Sequence, residues 1–363
     1  MKTTIRTILL LSILTLFAGC SNRQSADTGF EPNGRWTKEK AQEWSERTGW
    51  RSGCNYVTST AVNQIEMWMK DTYDPQTIDK ELGWAQELGF TAIRVYLHSA
   101  VWTAEKEGFL DTIDNFLSIA DSHGIKTIFI FFDDCWNPDS EYGPQPEPKV
   151  GVHNSQWVRD PSDNLRGDPD ALFPVLKEYV QAVIGKFKDD ERVLWWDLYN
   201  EPGNSEYYTK SLPLLKAVFA WAREMAPSQP LSSGVWHSRC PEVNNFQIEN
   251  SDIFSYHNYR EKDYHLDHVL LYKAFMRPMY CTEYMARTEG SLFQTILPML
   301  KEHNVSAINF GLVSGKINTI YGWSDVHPDG EEPDVWFHDI LRPDKTPFDP
   351  EEIELIKKIN GKQ

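Results

Sequence analysis

Val193-Leu194-Trp195-Trp196-Asp197-Leu198-Tyr199-Asn200-Glu201-Pro202-Gly203 reads as a buried strand. The run is apolar and aromatic, too short for a free-standing helix, and halted by Asn-Glu-Pro-Gly. It delivers Glu201 at its C-terminal end. A glutamate at the mouth of a buried strand is costly unless it is solvated, paired or used, because apolar surroundings disfavour its charged form. That same property suits a general acid. The competing reading is a strand-terminal residue in a surface salt bridge.

The same alternation recurs on both sides. Strand-like runs are predicted at 52–58, 91–97, 126–132, 230–236, 253–257, 278–283 and 307–313, and helical patterns at 78–88, 109–122, 169–187, 212–225, 263–275, 291–302 and 351–359. An amphipathic helix over 36–50 is expected to cap the domain. With the opening stretch as the fourth, eight strand-like runs alternate with helices. They are apolar throughout rather than strictly alternating, as in a parallel sheet covered on both faces. The order and the length of 363 residues fit one α/β domain, a (β/α)8 TIM barrel. A doubly wound open sheet is the alternative, but no Gly-rich fingerprint follows an early strand. One loop stands out. Residues 133–168 are rich in Pro, Gly, Asp and Asn yet carry Trp136, His153, Asn154 and Trp157, and loops of that length inside a domain are usually functional or disordered.

Composition narrows the partners. A net charge of −17 argues against nucleic acid, whose binding rests on Lys and Arg neutralising phosphates. The aromatic load, 14 Trp, 15 Tyr and 18 Phe, suits contact with sugar faces, although most aromatics in any domain are core. Cys54, Cys135, Cys240 and Cys281 lack CxxC spacing and are expected to be free and buried. A monomer without a cofactor is expected. His257, His265 and His268 cluster in sequence, but there is no HExxH pattern, and the His265/His268 spacing on a helix beside acidic residues reads as surface composition rather than a zinc site.

In such a barrel the strand C-termini surround one pocket. Polar residues at those ends include Asn55, Arg94, His98, Asp133, Asp134, Asn200, Glu201, Trp236, His257, Tyr259, Glu283 and Lys316. Glu201 and Glu283 each close an apolar run, on the fourth and seventh strands. Paired carboxylates across a pocket are the machinery of glycoside hydrolysis, one protonating the leaving oxygen while the other attacks or activates water.

Asn200-Glu201-Pro202, His257-Asn258-Tyr259 and Thr282-Glu283-Tyr284 together resemble the retaining (β/α)8 glycoside hydrolases of the cellulase superfamily, nearest to family 5. The resemblance covers roughly residues 49–336. It implies that Glu201 is the acid/base, Glu283 the nucleophile, and Asn200 a partner of the sugar 2-hydroxyl. It further implies that Arg94 lies beneath Glu283 and keeps it ionised, that Tyr259 donates to the nucleophile, and that His257 orients the acid or the substrate. Trp323 is a candidate stacking platform, with Phe310 its competitor. Trp136, and His98 with Trp102 after the second strand, are candidates to line sugar subsites. Asp133-Asp134-Cys135-Trp136 stands where many relatives carry a His, so substrate preference does not transfer. The implied activity is cleavage of a β-linked poly- or oligosaccharide. The length of the 133–168 loop, with Trp136 and Trp157, separately suggests a wall at one end of the cleft, favouring exo action or short or decorated glycans. The rival is a non-catalytic glycan-binding lipoprotein on the same barrel. Carboxyl spacing decides among them: about 5–5.5 Å for retention, about 6.5–9.5 Å for inversion, and beyond both for a binding protein.

At the N-terminus, Met1-Lys2-Thr3-Thr4-Ile5-Arg6 is basic, 8–17 is apolar but too short to cross a bilayer, and Ala18-Gly19 supplies small residues. Residues 1–19 read as a signal peptide. Leu16-Phe17-Ala18-Gly19-Cys20 resembles a bacterial lipobox, which implies lipidation of Cys20 and export to the cell envelope. Ser21 leans towards the outer membrane by analogy with lipoprotein sorting. Residues 20–35 then form a polar tether and 36–363 the catalytic domain.

Overall fold

A computed structural model of the chain describes residues 29–362. The predicted signal peptide, Cys20 and most of the tether lie outside the described residues. Eight strands appear in the predicted order: β1 (Ser52–Asn55), β2 (Ala92–Tyr96), β3 (Lys126–Asp133), β4 (Val193–Asn200), β5 (Leu231–Ser232), β6 (Phe254–His257), β7 (Met279–Glu283) and β8 (Ser306–Phe310). They form one parallel sheet in the order β5-β4-β3-β2-β1-β8-β7-β6. Val235 closes the ring, bonding through its N–H to the Ser255 carbonyl (3.0 Å) and through its carbonyl to the His257 N–H (2.9 Å). The chain is a (β/α)8 barrel.

The long elements match their sequence signals. The helix α6 (Pro169–Phe187) starts where Asp168 caps the Ala171 N–H and proline takes the first position. The helix α10 (Phe293–Glu302) buries Phe293, Ile296, Leu297 and Leu300, the spacing of one helical face. Helices α1 (Lys38–Thr48), α3 (Pro75–Glu87), α5 (Glu107–Ser122), α7 (Leu212–Glu224), α9 (Lys262–Tyr272) and α11 (Pro350–Ile359) answer the other predicted helices.

The differences fall in short elements. Three helices, α2 (Gln64–Trp68), α4 (Ser99–Glu105) and α8 (Pro241–Asn250), were not predicted. The first two are too short to show a period, and α8 buries only Val243 and Gln247. The fifth strand, expected over 230–236, is only two residues long. Side chains replace the ladder there: the Leu231 N–H donates to the Asp252 carboxylate (2.7 Å) and the Ser233 N–H to the Ser251 hydroxyl (3.2 Å).

Side chains inside the barrel are stacked in layers. Ala92, Ile128, Trp195, Tyr280 and Ile308 belong to an inner apolar cluster that Trp36 and Trp44 at α1 complete, so the capping helix plugs the floor. Two residues further along β2 and β4, on the same face, come Arg94 and Asp197. Apolar filling stops there and the polar site begins. All four cysteines within the described residues are free and buried. No helix among the described residues is long and apolar enough to cross a membrane.

Candidate active site

Arg94 is the base of the site. Its side chain is wholly buried, and such a cation needs charged and hydrogen-bonded partners. Nε and Nη2 bind Asp197 (2.9 and 2.8 Å), Nη2 binds Asn200 Oδ1 (2.7 Å), and Nη1 binds Asn55 Oδ1 (2.7 Å) and Glu283 Oε1 (2.8 Å). One guanidinium thus ties β1, β2, β4 and β7. Burial opposes its charge, but Tyr96, Asp197 and Glu283 outweigh that and raise its pKa. The Asp197 carboxyl is also raised, since burial outweighs the opposing pull of Arg94.

Glu283 closes β7 opposite. Besides Arg94, its Oε1 accepts from the Tyr96 hydroxyl (2.9 Å) and its Oε2 from the Tyr259 hydroxyl (2.7 Å). A register shift in β6 after Tyr256 sets His257 beside Glu283.

Glu201 sits on a strained turn. Its φ of +43° is unusual for a residue with a Cβ and is typical of functional positions. Asp134 holds the turn: its carboxylate accepts from the Gly203 N–H (2.8 Å), the Tyr199 hydroxyl (2.7 Å), Arg166 (2.7 Å) and the Ser211 hydroxyl. Glu201 Oε1 meets His257 Nδ1 at 2.8 Å, and Oε2 accepts from Asn204 and, at 3.4 Å, from the Cys135 thiol. Burial by itself would raise the Glu201 carboxyl, but the hydrogen bonds and charge of His257, with Asn204 and Cys135, hold it below its ordinary value. A carboxyl raised simply by burial, as the sequence suggested, is not what the free site contains.

Both glutamates open into a cleft of about 920 Å³. Asn200, His257, Tyr259, Trp136, Trp323 and Phe310 line it with them, so the structure brings most of the predicted residues together. Three fall elsewhere. His98 caps α4 instead, Nδ1 accepting from the Ala100 N–H (3.1 Å), and it lines a separate groove with Ser99 and Ala100. Trp102 is buried against Tyr179; the chain turns into α4 directly after β2, so these positions serve the helix. Asp133 lies behind the cleft, taking hydrogen bonds from Asn200 (2.9 Å) and Trp157 (2.7 Å). Burial raises its carboxyl to about 7. His265 is not surface composition: it is buried, 2.9 Å from the Tyr256 hydroxyl, and burial lowers it to about 3.

Sequence reasoning assigned no role to Tyr96, Asp197, Asn204 or His338. Tyr96 was visible in principle, two residues past Arg94 on the same strand face, and Asp197 as the one charge in an apolar run. Asn204 and His338 come from loops whose paths carry no sequence period.

Glu201, His257 and Glu283 have potential donor atoms within 4.8 Å of one another. As a cation site the cluster is poor. Both Glu283 oxygens already accept strong hydrogen bonds, and the Arg94 guanidinium is 2.8 Å away, where it repels a metal ion.

A barrel with two glutamates facing each other across the mouth, above a buried arginine, defines the class of barrel glycosidases. The family model of the cellulases, glycosyl hydrolase family 5, matches residues 51–311. The chain belongs to that family and is a glycoside hydrolase. No curated protein matches it by sequence. Solved structures share the fold at low identity. A GH5_18 protein of Streptomyces cattleya, in complex with Manb1-4GlcNAc, aligns with 12% identity over 86% of this chain and 80% of its own (TM-score 0.58). The hyperthermostable endo-1,4-beta-D-mannanase of Thermotoga petrophila RKU-1 aligns with 15% identity over 86% and 99% (TM-score 0.54). The exo-beta-1,4-mannosidase Op5Man5 of Opitutaceae bacterium strain TAV5 aligns with 14% identity over 86% and 60% (TM-score 0.59).

Proposed function

We propose that the enzyme cleaves β-linked glycans by double displacement with retention, Glu283 acting as nucleophile and Glu201 as acid/base. The carrying observation is spacing. The nearest oxygens of the two glutamates lie within 4.8 Å of one another, which suits the close pair of a retaining enzyme, about 5–5.5 Å, better than an inverting pair at about 6.5–9.5 Å. The surroundings support the division of roles. Glu283 faces a cation and two tyrosine donors, whereas Glu201 faces a histidine able to share a proton with it.

In the first step Glu283 bonds to the anomeric carbon while Glu201 gives its proton to the departing glycosidic oxygen. Glu201 takes up this proton as substrate excludes water and disfavours its charged form. In the second, Glu201 takes a proton from water, which attacks the anomeric carbon and releases Glu283. Asn200, fixed by Arg94 and Asp133, binds the sugar 2-hydroxyl. Trp323 and Trp136 supply apolar faces for the sugars, and Tyr259 with His257 positions the two carboxyls. β-Mannosides are the first substrates to offer, because proteins of similar fold act on or bind them.

The N-terminus completes the proposal: residues 1–19 direct export, Cys20 carries lipid that anchors the protein to the cell envelope at its outer membrane, and 20–35 tether the catalytic domain 36–363. Replacement of Cys20 by Ala should move the protein from the membrane fraction to the soluble one.

The mechanistic test uses 2-deoxy-2-fluoro-β-glycosides with activated leaving groups, in the manno, gluco and xylo series. One of them should add a single fluoroglycosyl group to intact protein, on Glu283 by peptide mapping. Release of product by Glu283→Gln at the wild-type rate, or a first product of inverted anomeric configuration, sinks the assignment.

A further inference from the structure

The loop after β3 and the segment after β8 are laced together across the barrel mouth. The Asn154 N–H donates to the Ile317 carbonyl (2.8 Å) and the His327 N–H to the Gly151 carbonyl (3.0 Å). The Asn318 side chain reaches the Lys149 carbonyl (3.0 Å). Gly151 is required at this seam: its φ is +64°, and a Cβ there would lie 1.8 Å from the His327 carbonyl oxygen. Since β1 and β2 stand between β3 and β8 in the sheet, the lacing spans that side of the cleft. Over β5 the rim residues Ser238 and Arg239 are exposed instead.

The two glutamates face different ends. Glu283 engages Arg94 and Tyr96 on β2 and Tyr259, whose ring packs on Trp323 (5.1 Å) and His338 (5.4 Å) of the β8 segment. His257 on β6 lies between the two glutamates, 2.8 Å from Glu201 and 3.5 Å from Glu283, but Glu201 also accepts from Asn204, and the adjoining Pro202 carbonyl accepts from the Trp236 indole N–H (3.2 Å) beyond β5. A nucleophile binds the sugar being transferred, and the acid protonates the oxygen that leaves with the rest of the chain. The transferred sugar therefore occupies the laced end.

We propose that this end is a closed terminal-sugar chamber, making the enzyme an exo-acting glycosidase that removes units from non-reducing ends, with His153 and His338 as acceptors for hydroxyls of the terminal unit. The inference rests on the retaining-hydrolase reading above. His153 Nδ1 is 2.8 Å from the Tyr321 carbonyl and His338 Nδ1 2.6 Å from the Met285 carbonyl. A carbonyl only accepts, so each Nδ1 carries the proton and each Nε2 is left as an acceptor. Both rings line the cleft and their centroids are 5.5 Å apart. Burial lowers His153 to about 4 and His338 well below its ordinary value, so both are neutral at working pH. Trp136, 5.8 Å from His153, completes the wall. A chain that continued past this chamber would have to pass through the lacing.

The test is product analysis on β-1,4-linked mannopentaose and cellopentaose labelled at the reducing end with 2-aminobenzamide, together with p-nitrophenyl β-mannoside, β-glucoside and β-xyloside. The expected result is stepwise shortening, with labelled tetramer first and labelled shorter products only after it. Labelled dimer or trimer at the outset overturns exo action while leaving the glycosidase reading intact. No release from any probe, and no labelling by the fluoroglycosides, overturns both. His153→Ala should raise KM about tenfold on the cleaved probe with a smaller change in kcat, and His153→Gln, which keeps an acceptor, should recover part of it. Unchanged KM in His153→Ala overturns the assignment of that residue.

Discussion

Arg94 Nη1 stands 2.8 Å from Glu283 Oε1, and the Arg94 side chain has no exposure to solvent. Nε and Nη2 of the same guanidinium bind Asp197 at 2.9 and 2.8 Å. One residue thus compensates two buried carboxylates, and its planar fork cannot be copied by an ammonium. Arg94→Lys should lower kcat at least about a hundredfold. It should also cost about 3–5 kcal/mol of stability, the usual cost of breaking a buried pair. Adding Asp197→Asn should restore part of the stability and none of the activity. Urea unfolding and kcat on the best aryl glycoside check both halves; a Lys variant with wild-type kcat contradicts the role given to Arg94.

The turn that carries Glu201 depends on Asp134, which is fully buried and bonded to Gly203, Tyr199, Arg166 and Ser211. Asp134→Ala leaves the Gly203, Tyr199 and Ser211 donors without this acceptor and Arg166 with only the longer Asp163 pair (3.8 Å), so a loss of about 3–5 kcal/mol is expected. Because the strained backbone of Glu201 is held from this side, kcat should fall more than KM rises. Asp134→Asn keeps an acceptor and should fall between. Equal effects on kcat and KM would mean that Asp134 supports the fold without aiming the carboxyl.

The pH dependence of stability follows from the depressed Glu201 carboxyl. A group whose native pKa lies below its unfolded value, about 4.3 for Glu, contributes stability that is present above that value. The contribution is lost as pH falls through the native pKa. The Tm difference between wild type and Glu201→Gln should therefore shift against the wild type as pH falls below about 4, and stay level from there to neutrality on account of this group. Calorimetric scans of both proteins measure it. A difference that moves in favour of the wild type on acidification would show that burial, not His257, governs Glu201.

What the sequence disclosed follows from how local each signal is. Long apolar strands announce themselves, so β4 and β7 and their terminal glutamates were legible, as was Arg94 at a strand end. The two-residue β5 was overcalled because Asp252 and Ser251 take over its backbone donors, a tertiary substitution with no trace in periodicity. His98 was misplaced because a strand-end histidine and a helix cap look alike until the next element is known. The 133–168 loop was expected to wall off one end of the cleft, but nothing in the sequence indicated what it would join. Its lacing to the β8 segment joins residues far apart in sequence, as in the Asn154 to Ile317 bond, and pairing of that kind is invisible to local pattern.

Trp323 offers the last test, because it was placed by resemblance and found on the cleft with about 40% of its surface exposed. It meets the Tyr259 ring edge-on at 5.1 Å and the Phe337 ring at 4.8 Å, so one side is packed and the other is free for a sugar face. Trp323→Ala should weaken substrate binding about tenfold, roughly 1.4 kcal/mol. Tm should change little, since a half-exposed ring adds little to the core. Trp323→Phe, which keeps a flat apolar face, should retain most of the affinity. If Trp323→Ala lowers kcat steeply with KM unchanged, the ring acts by holding Tyr259 on Glu283 rather than by stacking on sugar, and the two roles separate on that measurement.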